Sequence, residues 1–179
     1  MASQRQVEEV IFSFNCSRDP DIEYFLKEKA KLYEKIAKGR TYLIFSEEAM
    51  VEGELVLLAY FTIALQTLKI PVNTSPSQIR KLDGLYAKKG NSLITEIPVF
   101  LIGQLGKNDH YSEKICGDKI INYALSVISR AQEIVGGRVV LVECQDNPNL
   151  VEFYIRNGFK MLCQDPADGM IQMIRLITS

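Results

Sequence analysis

Apolar residues recur at helical spacing in some stretches of this chain and gather into short β-branched or aromatic runs in others, and the alternation of the two patterns sketches the fold. Residues 7–14 are rich in β-branched and aromatic residues and lead into Asn15-Cys16-Ser17, which predicts a first strand running into a turn. Asp19 then reads as a helix N-cap with Pro20 at the first helical position. Ile22, Phe25, Leu26, Ala30, Tyr33, Ile36 and Ala37 keep one face apolar until Gly39, and Lys27, Lys31, Lys35 and Lys38 mark the other. Residues 41–45 and 55–65 read as an antiparallel pair of strands joined by the acidic segment 46–54.

Further along, residues 76–86 predict a short helix. Residues 97–105 are apolar almost throughout, as expected for a strand covered on both faces, with Pro98 tolerated near its start. From Gly117 the residues Ile120, Ile121, Ala124, Leu125, Ile128 and Ala131 keep helical spacing until Gly136-Gly137. A short strand at 139–142 follows, then a helix capped by Asn147 with Pro148 first, and two strands, 159–163 and 170–177, around the turn 165–169. The second half is thus strand, helix, strand, helix, strand, strand, and predicts an α/β or α+β sheet whose parallel portion lies in that half.

Composition narrows the reading. At 179 residues and 47% hydrophobic content the chain has enough apolar surface for a real core and predicts one domain, 1–179. The longest apolar stretch, 55–65, is far short of the ~20 residues that span a bilayer, and the N-terminus shows no secretory signal, so a cytoplasmic protein without a membrane partner is expected. With 21 basic and 22 acidic side chains no global field favours a polyanion, and a nucleic-acid partner would need a local patch. Cys16, Cys116, Cys144 and Cys163 are scattered, and the single histidine, His110, has no second ligand nearby, which argues against a metal site.

In parallel sheets, ligands collect beyond the carboxyl ends of the strands, where loops lead into helix N-termini. Two segments have that address: Gly103-Gln104-Leu105-Gly106-Lys107 with the loop opening at Gly117, and Glu143-Cys144-Gln145-Asp146-Asn147-Pro148. The run Leu141-Val142-Glu143-Cys144-Gln145-Asp146-Asn147-Pro148-Asn149-Leu150-Val151-Glu152-Phe153-Tyr154-Ile155-Arg156-Asn157-Gly158-Phe159 resembles the strand, Asn-capped helix, Tyr and Gly-Phe sequence of the GNAT superfamily of acyl-CoA-dependent N-acetyltransferases. Residues 97–125 resemble that family's central strand, pyrophosphate loop and following helix. The resemblance implies a mixed, largely antiparallel sheet with a splayed parallel pair at its centre and helices on both faces. It also implies acetyl-CoA as donor and direct attack by a primary amine in a ternary complex.

Carried over residue by residue, the resemblance implies that Leu105, Gly106 and Lys107 offer backbone groups to the pantetheine arm, lying like an added strand. Ser112, Glu113, Lys114, Ile115, Cys116, Gly117 and Asp118 would hold the phosphates, mainly through main-chain N–H groups at a helix N-terminus, and Asn147 would join the cofactor contacts. The loop departs from the family pattern: Ser112 stands where Gln or Arg is usual and Ile115 where Gly is, and only Gly117 matches. Lys114 adds a cation there. Tyr154 is the expected general acid for the departing CoA sulfur, although a phenol at pKa ~10 and a thiol near ~8.5 make full transfer unfavourable by roughly 2 kcal/mol. Glu143 is the expected base, with Glu96 the other candidate. Cys116 or Cys144 as an acyl carrier lacks a histidine to activate it, and His110 is a loop residue beside the phosphate loop.

The acceptor is an amine that these residues do not identify. An aminoacyl-tRNA, as in toxin members of the superfamily, is one option, with the lysines of the first helix and Arg80, Lys81, Lys88 and Lys89 as the available cations. A homodimer is also compatible with the sequence. The alternative function is a catalytically weak or inactive CoA-binding regulatory or scaffold protein with a degenerate pyrophosphate loop.

Overall fold

The computed structural model describes residues 4–177. In chain order the elements are α1 (Gln4–Phe12), α2 (Pro20–Tyr24), a π-helical turn (Phe25–Lys29), α3 (Ala30–Lys35), β1 (Arg40–Phe45), α4 (Glu47–Val51), β2 (Leu57–Lys69) and α5 (Pro76–Asp83). Then come the hairpin β3 (Lys88–Lys89) and β4 (Ser92–Leu93), β5 (Glu96–Lys107), α6 (Gly117–Val135), β6 (Val139–Cys144), α7 (Pro148–Arg156), β7 (Lys160–Gln164) and β8 (Ile171–Leu176). Six strands form one sheet in the order β1-β2-β5-β6-β8-β7, in which β5 and β6 are the parallel pair. The mixed, mostly antiparallel sheet with helices around it is the architecture expected from the sequence.

The chain divides into two compact units, Met1–Ala64 with Gly103–Leu125, and Leu65–Ile102 with Ser126–Ser179. In the first, β1 runs antiparallel to β2 with Thr41 opposite Thr62, and Phe14, Cys16, Leu26, Ala30, Leu57 and Tyr60 form the core. In the second, Ile79 and Leu82 of α5 pack with Val99 of β5 and Val139 and Leu141 of β6. β6 pairs with β8 from Val139↔Leu176 to Cys144↔Ile171, whereas its parallel ladder with β5 covers only Phe100↔Val140 to Ile102↔Val142.

Three local results differ from the sequence pattern. Residues 7–14, expected as a strand, belong instead to helix α1 up to Phe12. Val7, Val10 and Ile11 fall at helical spacing, and Gln4 to Glu8 (3.1 Å) and Arg5 to Glu9 (3.0 Å) add i,i+4 pairs that outweigh β-branched propensity. The acidic segment 46–54 contains α4, capped by the Ser46 hydroxyl accepting from the Ala49 amide. Strand β5 is not covered on both faces throughout, since Glu96, Pro98 and Gly103 are exposed.

Caps were more legible. The Asp19 carboxylate accepts from the Asp21 amide at 3.1 Å with Pro20 first in α2, and Gly136 ends α6 at φ 77°. The end of α3 is less obvious. Lys38 N–H donates to Tyr33 C=O at 2.9 Å and Ala37 N–H to Glu34 C=O at 3.1 Å, with Ala37 at φ 56°, so an alanine occupies the left-handed position that glycine usually fills. Replacing it relieves about 1–2 kcal/mol of strain against about 0.5–1 kcal/mol of added unfolded-state entropy. Ala37→Gly is therefore expected to raise the urea midpoint by the equivalent of about 0.5–1 kcal/mol, and a lowered midpoint would contradict this account of the helix end.

Candidate functional site

In the first unit the phosphate-loop candidates are positioned from Asn108, where β5 ends. The residue is 1% exposed, and all but one of its hydrogen-bonding groups have a protein partner. Nδ2 donates to Leu57 C=O at 2.9 Å, and Oδ1 accepts from the amides of His110 at 3.2 Å and Asn15 at 3.4 Å. Its own amide donates to Leu58 C=O at 2.9 Å, and its carbonyl accepts from Tyr111 N–H at 3.1 Å. Asp109 then accepts from the Ser17 amide (2.7 Å) and hydroxyl (2.6 Å), bonds that hold its carboxyl below the usual carboxylate range. Asn108 was missed in the sequence reading. The available signal was an Asx residue closing an apolar strand just before a turn.

Gly106 is buried, and a Cβ on it would meet Ile22 Cγ2, Tyr60 Cε1 at 2.8 Å and Phe14 Cζ at 3.3 Å. Tyr60 cannot retreat, because its hydroxyl donates to Ile22 C=O and its ring meets Phe14 edge-on at 5.3 Å. Gly106 is thus needed for close packing, whatever its backbone offers a ligand. Lys107 Nζ donates to Ser112 C=O at 3.1 Å and closes the loop.

Of the expected phosphate-binding amides, two are already engaged. Ser112 N–H donates to Asp109 C=O at 3.4 Å and Lys114 N–H to Tyr111 C=O at 2.9 Å. Ile115, Cys116 and Gly117 lead into α6 with N–H groups that reach no backbone acceptor outside the helices and strands among the described residues, while Cys116 C=O accepts from Lys119 and Ile120. The donor set at the helix N-terminus is therefore narrower than the sequence suggested, but present. A cavity of about 260 Å³ adjoins it, lined in part by Ser46, Glu48, Lys114, Ile115, Lys119 and Tyr123.

In the second unit, Asn147 caps α7, with Oδ1 accepting from Asn149 N–H at 2.9 Å. Tyr154 on that helix is 9% exposed, with Phe153 (5.0 Å) and Phe159 (5.6 Å) edge-on to its ring. Burial, and then the nearby Cys144 thiol, push the phenol well above its ordinary pKa, so it stays protonated. Burial likewise raises the Cys144 thiol, with Asp146 adding to the effect, and a protonated thiol is a poor acyl carrier.

Glu143 precedes Cys144 on β6, so its side chain leaves the opposite face of the strand. There Oε1 accepts from Gln172 Nε2 at 2.9 Å, and the same amide reaches Asp165 at 3.4 Å while its oxygen accepts from the Cys163 thiol at 3.3 Å. The structure brings Tyr154 beside Cys144 and Glu143 beside Gln172; it does not bring Glu143 to Tyr154. Glu96 is exposed at the start of β5. Among the described residues no cluster of metal-ligating side chains is found, and no helix is long and apolar enough to cross a membrane.

No family profile and no curated protein matches the chain. Solved structures do. A tyrosine-to-phenylalanine mutant of KacT is similar with a TM-score of 0.68 at 22% identity, covering 90% of this chain and 85% of that one. AtaT complexed with acetyl-methionyl-tRNAfMet has a TM-score of 0.68 at 18% identity, covering 90% and 85%. AtaTR bound with AcCoA has 0.65 at 19%, covering 89% and 83%. The likeness shows that this chain shares the fold of these structures, the architecture that the sequence's resemblance to the GNAT superfamily implied.

Two outcomes test the first unit. Gly106→Ala is expected to cost about 1–3 kcal/mol through overpacking against Tyr60 and Phe14, and Asn108→Ala about 2–3 kcal/mol by leaving buried partners without hydrogen bonds. Urea denaturation reads both, and a midpoint unchanged in either variant would contradict its packing or bonding account.

Proposed function

We propose that this chain is an acetyl-CoA-dependent N-acetyltransferase and that its acceptor is the amine of an aminoacyl-tRNA. The supporting observation is the fold shared with AtaT, which was solved with acetyl-methionyl-tRNAfMet, and with AtaTR, which was solved with AcCoA. Donors at the N-terminus of α6 fit such a ligand: the amides of Ile115, Cys116 and Gly117, with Lys114 beside them, suit a diphosphate. On β6 the main chain of Glu143 and Cys144 lies past the last rung of the parallel ladder, a stretch suited to hydrogen-bond an extended arm.

Bound acetyl-CoA supplies an activated acetyl thioester whose sulfur leaves as a thiolate and needs a proton. Tyr154 holds that proton on a phenol kept neutral by burial, so its role is to hydrogen-bond the forming thiolate more than to complete the transfer. The amine of an aminoacyl ester is less basic than an alkyl amine, which lowers the demand for a base and fits a Glu143 occupied by Gln172. The second reading, a CoA-binding regulatory protein without turnover, is favoured by the engaged amides of Ser112 and Lys114.

Acetyl-CoA at 100-fold above its Kd is expected to add about 2.7 kcal/mol of stability, which for a chain of this size raises Tm by roughly 5–10 °C. Tyr154→Phe is expected to keep that shift and to slow acetylation of aminoacyl-tRNA by about 100-fold. A shift without turnover in the unmodified protein would favour the regulatory reading, and no shift at millimolar donor would sink both.

A further inference from the structure

The second unit carries a groove of about 720 Å³ whose rim is cationic: Lys81 of α5, Lys160 of β7 and Arg175 of β8 line it together with Asn73, Thr74 and Gln78. No carboxylate is among its lining residues, in a chain whose overall formal charge is -1. Leu162 and Ile174, which pack against the core, also line it. Lys81 and Lys160 are exposed, and neither takes part in an ion pair among the described residues. Arg175 is anchored, with a guanidinium N–H donating to Asn157 C=O at 2.8 Å at the end of α7. The nearby acid on α5, Asp83, is occupied by the amides of Leu85 (3.2 Å) and Tyr86 (2.8 Å).

We propose that this groove seats the sugar-phosphate backbone of RNA, with Lys81, Lys160 and Arg175 supplying charge and Asn73, Thr74 and Gln78 supplying hydrogen bonds. Amide and hydroxyl side chains beside cations suit phosphodiester oxygens, and no aromatic ring lines the groove for stacking of bases, so the contact is to the backbone and is indifferent to sequence. Of the cations that the sequence offered for RNA, Lys81 lines this groove, while Arg80, Lys88 and Lys89 do not. The lysines of the π-helical turn and α3 are partly spent, since Lys27 pairs with Glu23 and Lys31 with Glu8, each at 2.6 Å. The inference rests on the aminoacyl-tRNA reading of the acceptor.

The test measures binding of deacylated tRNA across a salt series for the full chain and for Lys81→Gln, Lys160→Gln and the double variant, with the acetyl-CoA thermal shift followed in parallel. Each phosphate-bound lysine contributes about one unit to the slope of log K against log salt, so the double variant should lose about two units and bind more weakly at every salt concentration. The acetyl-CoA shift should stay as in the unmodified protein, which also certifies that the variants fold. Binding of tRNA with an unchanged slope in the variants would overturn the groove and leave the acceptor reading intact. Absence of tRNA binding at low salt, with the acetyl-CoA shift preserved, would overturn the groove and the tRNA acceptor together while sparing the acetyltransferase. Lysine-dependent binding of poly-glutamate in place of tRNA would identify the groove as a seat for an acidic peptide and defeat the RNA assignment.

Discussion

A single buried carboxamide organises the first unit. Asn108 has almost no contact with water, and in its place every hydrogen-bonding group but one side-chain proton is matched to protein: two carbonyls of β2, two amides of the following turn and of Asn15, and its own carbonyl to Tyr111. An amide in so dry a place would be costly unpaired, so the geometry of its neighbours is tightly prescribed. The end of β5, the turn at Asp109 and the Asn15–Ser17 segment are held as one body, and the residues that open α6 follow within a few positions. The amides of Ile115, Cys116 and Gly117 are where they are because the strand before them ends in this way.

Several helix starts are legible in the sequence, where local chemistry and tertiary outcome agree. Asp19-Pro20 and Asn147-Pro148 start helices because a short acceptor side chain and a proline with no N–H satisfy the same orphan positions wherever they occur. Two local patterns point the wrong way. Residues 7–12 have the β-branched content of a strand, but the helical spacing of Val7, Val10 and Ile11 and the i,i+4 pairs decide for the helix, with Lys31 reaching Glu8 at 2.6 Å from another element. Ala37 in a left-handed turn gives no sign of itself in the sequence, because Gly39, two positions on, is the more obvious stop.

The candidate site divides in the same way. The sequence places Tyr154 on the Asn147-capped helix, where the structure has it buried with Phe153 and Phe159 edge-on to its ring. What could not be read was the facing of β6. Glu143 and Cys144 are adjacent letters, yet the pleat sends one to Gln172 and the other toward Tyr154. The engaged amides of Ser112 and Lys114 were hidden for a similar reason. Main-chain donors are common to every residue except proline, and only the turn's own bonding decides which remain available.

The way the chain threads its two units has a practical consequence for dissecting it. β2 passes from one unit to the other between residues 64 and 65, β5 between 102 and 103, and α6 between 125 and 126. Each unit is assembled from stretches far apart in the gene, so a stop codon or protease cut at any of these borders severs a strand or helix and deprives both units of a structural member. Deletion mapping is therefore unsuited to dissecting the chain, and point substitutions in the intact polypeptide are the route that keeps its architecture whole.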